Sequence, residues 1–408
     1  VQLFVGKGGT GKSTMAAATA VAAARAGRRV LLASIDRAHS LTSVIGAAAS
    51  PVGEPAAVRS VADNLDMVEI DSLGVLESRY RSLAALATAA GAHRHDSGLA
   101  MLDPEELTSV PGVQDLAGLD TVRDLVGSGR WDDIVVDCPA TADWLAMATV
   151  PSLVGDYLER IWPRHSRVTA GVGGDPRLAV VVSLLERMDS GAAEVAAMLT
   201  DPGTTATVVT TANAVVLAET RELLAANSIL GITTSSVVVN MLVPQFGSAP
   251  TTVLGTHPSV FWFEAMRSDQ EQQLDILVRE LPTLRVVRVR SALHEPVGLT
   301  SLDAIADDLV DERNASGNDP FPRVEPQVRH ESGAGLDSVY VMTVELPLVD
   351  PDTVSVGRVE DDVIVSAGRV RRRFRLASVL RRCDVVGAEL DDATLTVRFV
   401  PDPSVWPT

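Results

Sequence analysis

Cysteine is nearly missing from this sequence: Cys138 and Cys383 are the only two in 408 residues. Two thiols so far apart form neither a CxxC zinc clasp nor a disulfide framework, and they offer no cluster of soft ligands. Long hydrophobic runs are also absent. No stretch of about 18 apolar residues is uninterrupted, so the chain is not expected to be an integral membrane protein. It opens directly on a strand-like segment without a positively charged leader, from which a cytoplasmic location is expected. Positive charge is in deficit too: a formal net charge of −18 disfavours nucleic acid and anionic membrane as default partners. What is there, 46% hydrophobic and 22% charged, is the composition of a globular chain able to bury a large core. The length suits two or three domains.

The first residues carry the strongest chemical signal. A short strand-like run, Gln2-Leu3-Phe4-Val5, feeds Gly6-Lys7-Gly8-Gly9-Thr10-Gly11-Lys12-Ser13-Thr14, and an alanine-rich helix pattern ending at Gly27 follows. Gly6, four residues, then Gly11-Lys12-Ser13 is the phosphate-loop spacing in its confirming context of strand before and helix after. The glycines let backbone N–H groups turn onto phosphate oxygens, and the helix start adds unpaired N–H groups and a positive dipole end. In this role Lys12 reaches the β- and γ-phosphates of ATP, and the Ser13 hydroxyl is placed to ligate Mg²⁺. Trp131-Asp132-Asp133-Ile134-Val135-Val136-Asp137 reads as a buried strand delivering a carboxylate, the arrangement in which Asp137 reaches Mg²⁺ or its water.

Lys7, just after the first glycine, is not needed for a simple cradle. Lys7-Gly8-Gly9-Thr10-Gly11-Lys12 resembles the deviant loop of the MinD, ParA, nitrogenase-iron-protein and arsenite-pump group. That resemblance implies that Lys7 crosses to the nucleotide of a facing subunit, and hence a dimer, either a homodimer or a heterodimer with a related ATPase. Ser34-Ile35-Asp36-Arg37-Ala38-His39-Ser40-Leu41 narrows the match. It resembles the switch I segment S-T-D-P-A-H-S-L of the arsenite-pump and tail-anchored-protein targeting ATPases, with Arg37 in place of the proline. The resemblance makes Asp36 the residue that positions the attacking water; capping of the next turn, or holding a metal-bound water, is the plainer alternative. Cys138-Pro139-Ala140-Thr141-Ala142-Asp143-Trp144-Leu145-Ala146 stands where the family has switch II. The Ala-Pro pair is inverted, and Trp144 and Ala146 replace a threonine and an arginine. Cys138 itself reads as a small buried residue.

Further along, Val237-Val238-Val239-Asn240-Met241-Leu242-Val243-Pro244 resembles the family's V-V-N-x-x-x-P, which implies that Asn240 reads the adenine edge. His294-Glu295-Pro296-Val297-Gly298-Leu299 is similar to the loop closing the adenine pocket, which places Glu295 and Pro296 near the base. The fold class expected is α/β: a P-loop NTPase with a mostly parallel sheet flanked by helices over residues 1–312. A linker rich in Asn, Ser, Gly, Pro and Arg is expected over 313–336. Alternating short strands over 337–408 predict a small all-β sandwich, and the segments around Glu345, Arg358 and Arg371-Arg372-Arg373 resemble the α-crystallin-like domain appended to some arsenite-pump-like ATPases. The three arginines read as edge charges that discourage strand pairing.

Helical patterns are expected over Leu83–Ala90, Pro104–Val126 and Val150–Leu199, with breaks at Pro151, Pro163 and 171–176, and His93 and His95 read as solvated. The motifs lead to an Mg-dependent ATPase, and the family resemblance implies a dimer that opens and closes on a hydrophobic client or membrane partner. Three alternatives stay open: a weakly hydrolysing partner subunit, a MinD/ParA-like positioning switch, and an arsenite-transport subunit.

Overall fold

Strand residues alternate between two buried faces, because helices cover the main sheet on both sides. The computed structural model describes residues 1–38, 40–48, 53–89, 112–163, 165–167, 169, 176–245, 257–314, 319–391 and 393–406. The predicted histidine-bearing loop, the helical stretch 104–111 and the break at 171–175 lie outside them.

Eight strands form this sheet: β1 (Gln2–Gly6), β2 (Val30–Ser34), β3 (Arg59–Ala62), β4 (Leu65–Glu69), β5 (Asp133–Ala140), β6 (Thr205–Thr211), β7 (Thr233–Leu242) and β8 (Arg285–Arg290). Their order is β3-β4-β2-β5-β1-β6-β7-β8, and only the β3–β4 pair is antiparallel. The chain leaves β1 for β2 on one side and later fills β6 to β8 on the other, so the carboxyl end of β1 is the switch point where open α/β sheets bind ligands.

Helices α1 (Lys12–Arg25), α2 (Leu41–Ile45), α3 (Ser72–Ala89), α4 (Val113–Gly127), α5 (Thr141–Ile161), α6 (Pro176–Thr200), α7 (Ala214–Leu230), α8 (Pro258–Glu280) and α9 (Leu299–Asn314) make the outer layers. Phe4, Leu32, Val135 and Val238 face α1, α2 and α9. Leu3, Val5, Leu31, Val136 and Val237 face α3 to α8. Burial on both faces is what turns these strands into near-continuous apolar runs.

One expectation fails inside α5. Pro151 does not break it, and the helix runs without interruption from Thr141 to Ile161 with Pro151 buried. A proline removes one N–H and crowds the carbonyl four residues back. Packing of α5 along α6 and against α4 and α7 outweighs that local cost.

The C-terminal part is a sandwich of two antiparallel sheets. Its strands are β9 (Gln327–Ser332), β10 (Val339–Glu345), β11 (Ser355–Val359), β12 (Asp362–Ala367), β13 (Val370–Arg375), β14 (Cys383–Asp391) and β15 (Thr394–Pro401), ordered β14-β15-β10-β9 and β11-β12-β13. It is not suspended on a free tether. Residues 319–324, in the compositionally linker-like stretch, are stitched to the first domain. Phe321 N–H donates to the Thr234 carbonyl at 2.8 Å, Val324 N–H to Ser228 at 3.0 Å, and Arg323 to the Thr200 carbonyl at 2.9 Å. Phe321 and Val324 are buried, and the apolar interior of the sandwich is continuous with the α7 side of the main sheet.

Arg372 is not an edge charge. Its guanidinium donates to the carbonyls of Ile229, in the last turn of α7, at 2.8 Å and of Val324 at 3.0 Å. Burial pushes its pKa below the ordinary arginine value. Such a residue at a helix C-terminus satisfies carbonyls that have no partner within the helix.

Candidate functional site

Between β1 and α1 the chain makes a loop that only glycine permits at two points. A Cβ on Gly6 (φ 147°) would collide with the Val209 carbonyl, and one on Gly11 (φ 89°) with the Asn240 amide. The loop closes on itself: Thr10 Oγ1 donates to the Lys7 carbonyl at 2.9 Å, and Lys12 Nζ reaches the same oxygen at 3.4 Å. Lys12 and Thr10 are buried, Thr14 is half-buried in the first turn of α1, and Gly8 and Gly9 are exposed. No side chain caps α1, which leaves its first N–H groups to face the loop. The result is a cradle of backbone donors and one ammonium group, shaped for phosphate oxygens.

Asp137 arrives on β5, next to β1, and is fully buried. Ser13 Oγ donates to its Oδ2 at 2.7 Å and lies 2.7 Å from Ser40 Oγ. Oδ1 is buried with no hydrogen-bond partner among the described residues. Desolvation raises the Asp137 pKa to about 7, against the opposing pull of Ser13 and Lys12; Asp36 adds to the rise. A buried carboxylate with one unsatisfied oxygen, beside two hydroxyls at a phosphate cradle, fits a hard divalent cation such as Mg²⁺. Among the described residues no three His, Cys, Asp or Glu side chains gather into a tighter metal cluster.

Asp36 follows β2 and is half-buried; its Oδ1 accepts from Ala38 N–H at 3.0 Å. Arg37 turns outward to Asp115 on α4 at 2.8 Å. Asn240, at the end of β7, donates Nδ2–H to the Thr10 carbonyl at 2.9 Å, so β7 holds the phosphate loop from the side. Glu295 is exposed and Pro296 half-buried, on a loop that returns to switch I: Gly298 N–H donates to the Val44 carbonyl in α2 at 2.8 Å. Lys7 lies at the mouth, half-exposed, with its ammonium 2.8 Å from Glu219 on α7.

A family profile described as anion-transporting ATPase matches residues 1–311. The chain belongs to the anion-transporting ATPase family. A second profile, the HSP20-like domain found in ArsA, matches residues 337–399. Among relatives of this ATPase family member, a Mycobacterium tuberculosis protein is 41% identical over 100% of this chain and 97% of its own length. An Aquifex aeolicus protein named as an arsenical pump-driving ATPase is 24% identical over 95% and 97%, respectively. ATPase GET3 of Paracoccidioides lutzii is 28% identical over 76% of this chain and 89% of its own.

Within this family frame, Gly6, Lys12, Ser13, Asp36, Asp137 and Asn240 all come to the carboxyl edge of the sheet around β1. Three further residues escape a motif reading. Trp144, which reads only as a departure in switch II, is fully buried and donates Nε1–H to Asn227 of α7 at 3.1 Å. Thr141 begins α5 with a buried hydroxyl that has no hydrogen-bond partner among the described residues. Gln270 of α8 takes Val243 N–H at 2.7 Å and donates to the Met241 carbonyl at 3.1 Å, bracing a residue held at φ 58° directly after Asn240. No local pattern announces Gln270. Cys138 is fully buried and burial pushes its thiol pKa well up, which leaves it inert.

Proposed function

We propose that this chain is an Mg²⁺-dependent ATP hydrolase that works as a nucleotide switch in a dimer, cytoplasmic and without nucleic acid as partner. The observation that carries this reading is the Ser13–Asp137 pair, with a spare carboxylate oxygen, beside buried Lys12 in the cradle. Ser13 and Asp137 would hold Mg²⁺, directly or through water, and the bound ion would supply positive charge to the phosphate oxygens. Lys12 and the loop N–H groups bind and orient the triphosphate. Asn240, Glu295 and Pro296 would flank the base. Asp36 orients a water for in-line attack, forming the new P–O bond as the bond to the β-phosphate oxygen breaks. Lys7, at the mouth, adds charge to a facing subunit's nucleotide, in a homodimer or with a related ATPase.

Leu153, Tyr157 and Ile161 stand exposed at intervals of four residues along α5. This apolar stripe, immediately downstream of switch II, supports coupling of hydrolysis to a hydrophobic client or membrane partner. Among the described residues no helix is long and apolar enough to cross a membrane.

A second reading, a subunit whose hydrolysis needs a partner, is favoured by Arg37, which pairs outward with Asp115 where the family has proline, and by the altered switch II with Trp144 buried. Steady-state ATPase of the full chain decides between them. The autonomous reading expects turnover that Lys12→Ala lowers at least about 100-fold, and that Asp36→Asn lowers while ATP binding persists. Binding without turnover above the Lys12→Ala background would overturn it in favour of the second.

A further inference from the structure

Helix α7 is gripped at both ends by residues from distant parts of the chain. Near its start, Glu219 takes the Lys7 ammonium at 2.8 Å, with side chains 32% and 40% exposed. Thr220 Oγ1, one residue on, bonds Thr210 of β6 at 2.8 Å and fixes that turn to the sheet. Near its end, Asn227 receives the Trp144 indole N–H, and the Ile229 carbonyl receives Arg372 from the sandwich. The same guanidinium packs against Gly231, the left-handed cap of the helix. Ten residues of helix, about 15 Å, separate Glu219 from Ile229.

Lys7 Nζ cannot remain on Glu219 and also reach out of the mouth. The pair is half-exposed, and such pairs are weak enough to be broken by a competing anion. We propose that Glu219 is a positioning residue for Lys7, holding it within its own chain until a second anionic centre is presented. The C-terminal sandwich sets how firmly it is held, by bracing the far end of α7 through Arg372. The hold itself needs only the contacts above; its consequence for dimerisation rests on the reading of Lys7 as the residue that acts across subunits.

The test uses an accident of composition: Lys7 and Lys12 are the only lysines in the chain. Lys12 is buried, so acylation of the full-length, nucleotide-free protein by an N-hydroxysuccinimide ester reports on Lys7 by peptide mass spectrometry. Glu219→Gln is expected to speed Lys7 labelling about two- to fivefold, with Glu219→Asp returning it toward wild type. Arg372→Gln, or Arg372→Lys where folding is impaired, is expected to raise it in the same direction by a smaller factor. Combined with Glu219→Gln it is expected to add nothing. Unchanged labelling in Glu219→Gln would overturn the hold. Unchanged labelling in folded Arg372 variants, or an additive double variant, would overturn the role of the sandwich. Labelling that responds as expected while ATP-dependent self-association stays at wild-type level would leave the hold standing and count against Lys7 acting across subunits.

Discussion

Asp137 ties the stability of the protein in the absence of divalent cation to pH. Its carboxyl group titrates near 7 when folded and near 4 when unfolded, so between those values the native state carries the extra proton. Stability without divalent cation therefore falls as pH rises from about 4 to 7 and levels off above. Mg²⁺ favours the ionised form, so its addition should raise the melting temperature more at pH 8 than at pH 6, measurable by scanning fluorimetry. An equal shift at both values would argue against Asp137 as the ion's partner. At this scale the motif-borne contacts are legible in sequence: the spacing of Gly6, Gly11, Lys12 and Ser13 marks the cradle, and the apolar run into Asp137 marks the strand that carries the carboxylate, although β5 continues past it to Ala140. The Lys7–Glu219 pair is not legible. Glu219 reads as a wet-side residue of an amphipathic helix, and nothing local says which loop its face meets.

Trp144 decides how α5 sits on α7. Truncation to alanine removes a fully buried indole from the core and should cost about 3–5 kcal/mol in urea unfolding. Trp144→Phe keeps most of the volume but leaves the Asn227 oxygen without its donor, for a smaller cost of about 1–3 kcal/mol. A phenylalanine variant as unstable as the alanine one would show that the hydrogen bond, not packing, dominates there. Elements with strong apolar runs, such as β2, β5 and β7, are plain in the sequence. The short pair β3 and β4 is not, since each spans at most five residues and β3 carries a charged and a polar side chain among its four. Pro151 misleads for the opposite reason: a local rule yields to packing along the whole length of α5.

At the scale of the whole molecule, the apolar cluster on one face of the main sheet runs on into the sandwich, while a second cluster fills the opposite face. The full chain is accordingly expected to unfold in one calorimetric transition, and Arg372→Glu to split it in two by placing a negative charge against helix carbonyls. Two transitions in the wild type would show that the parts are energetically separate. Both architectures are legible from sequence, because their strand patterns differ: apolar runs in one, alternation in the other. Their attachment is not. Residues 319–324 show no periodicity, and two buried side chains with a handful of backbone bonds leave no pattern in composition.

At Met241 the end of β7 is bent out of line, and a single glutamine keeps it there. Gln270 lies one helical turn beyond Met266, and with Phe261 and Trp262 that methionine stands in the solvent on α8. The outer skin of α8 and the inner wall of the phosphate cradle are thus linked through two side-chain amides: Gln270 bonds Met241, and the preceding residue, Asn240, bonds Thr10. A load on Met266 therefore falls one turn from the glutamine that braces the end of β7, and a load on Phe261 or Trp262 falls more than two turns from it.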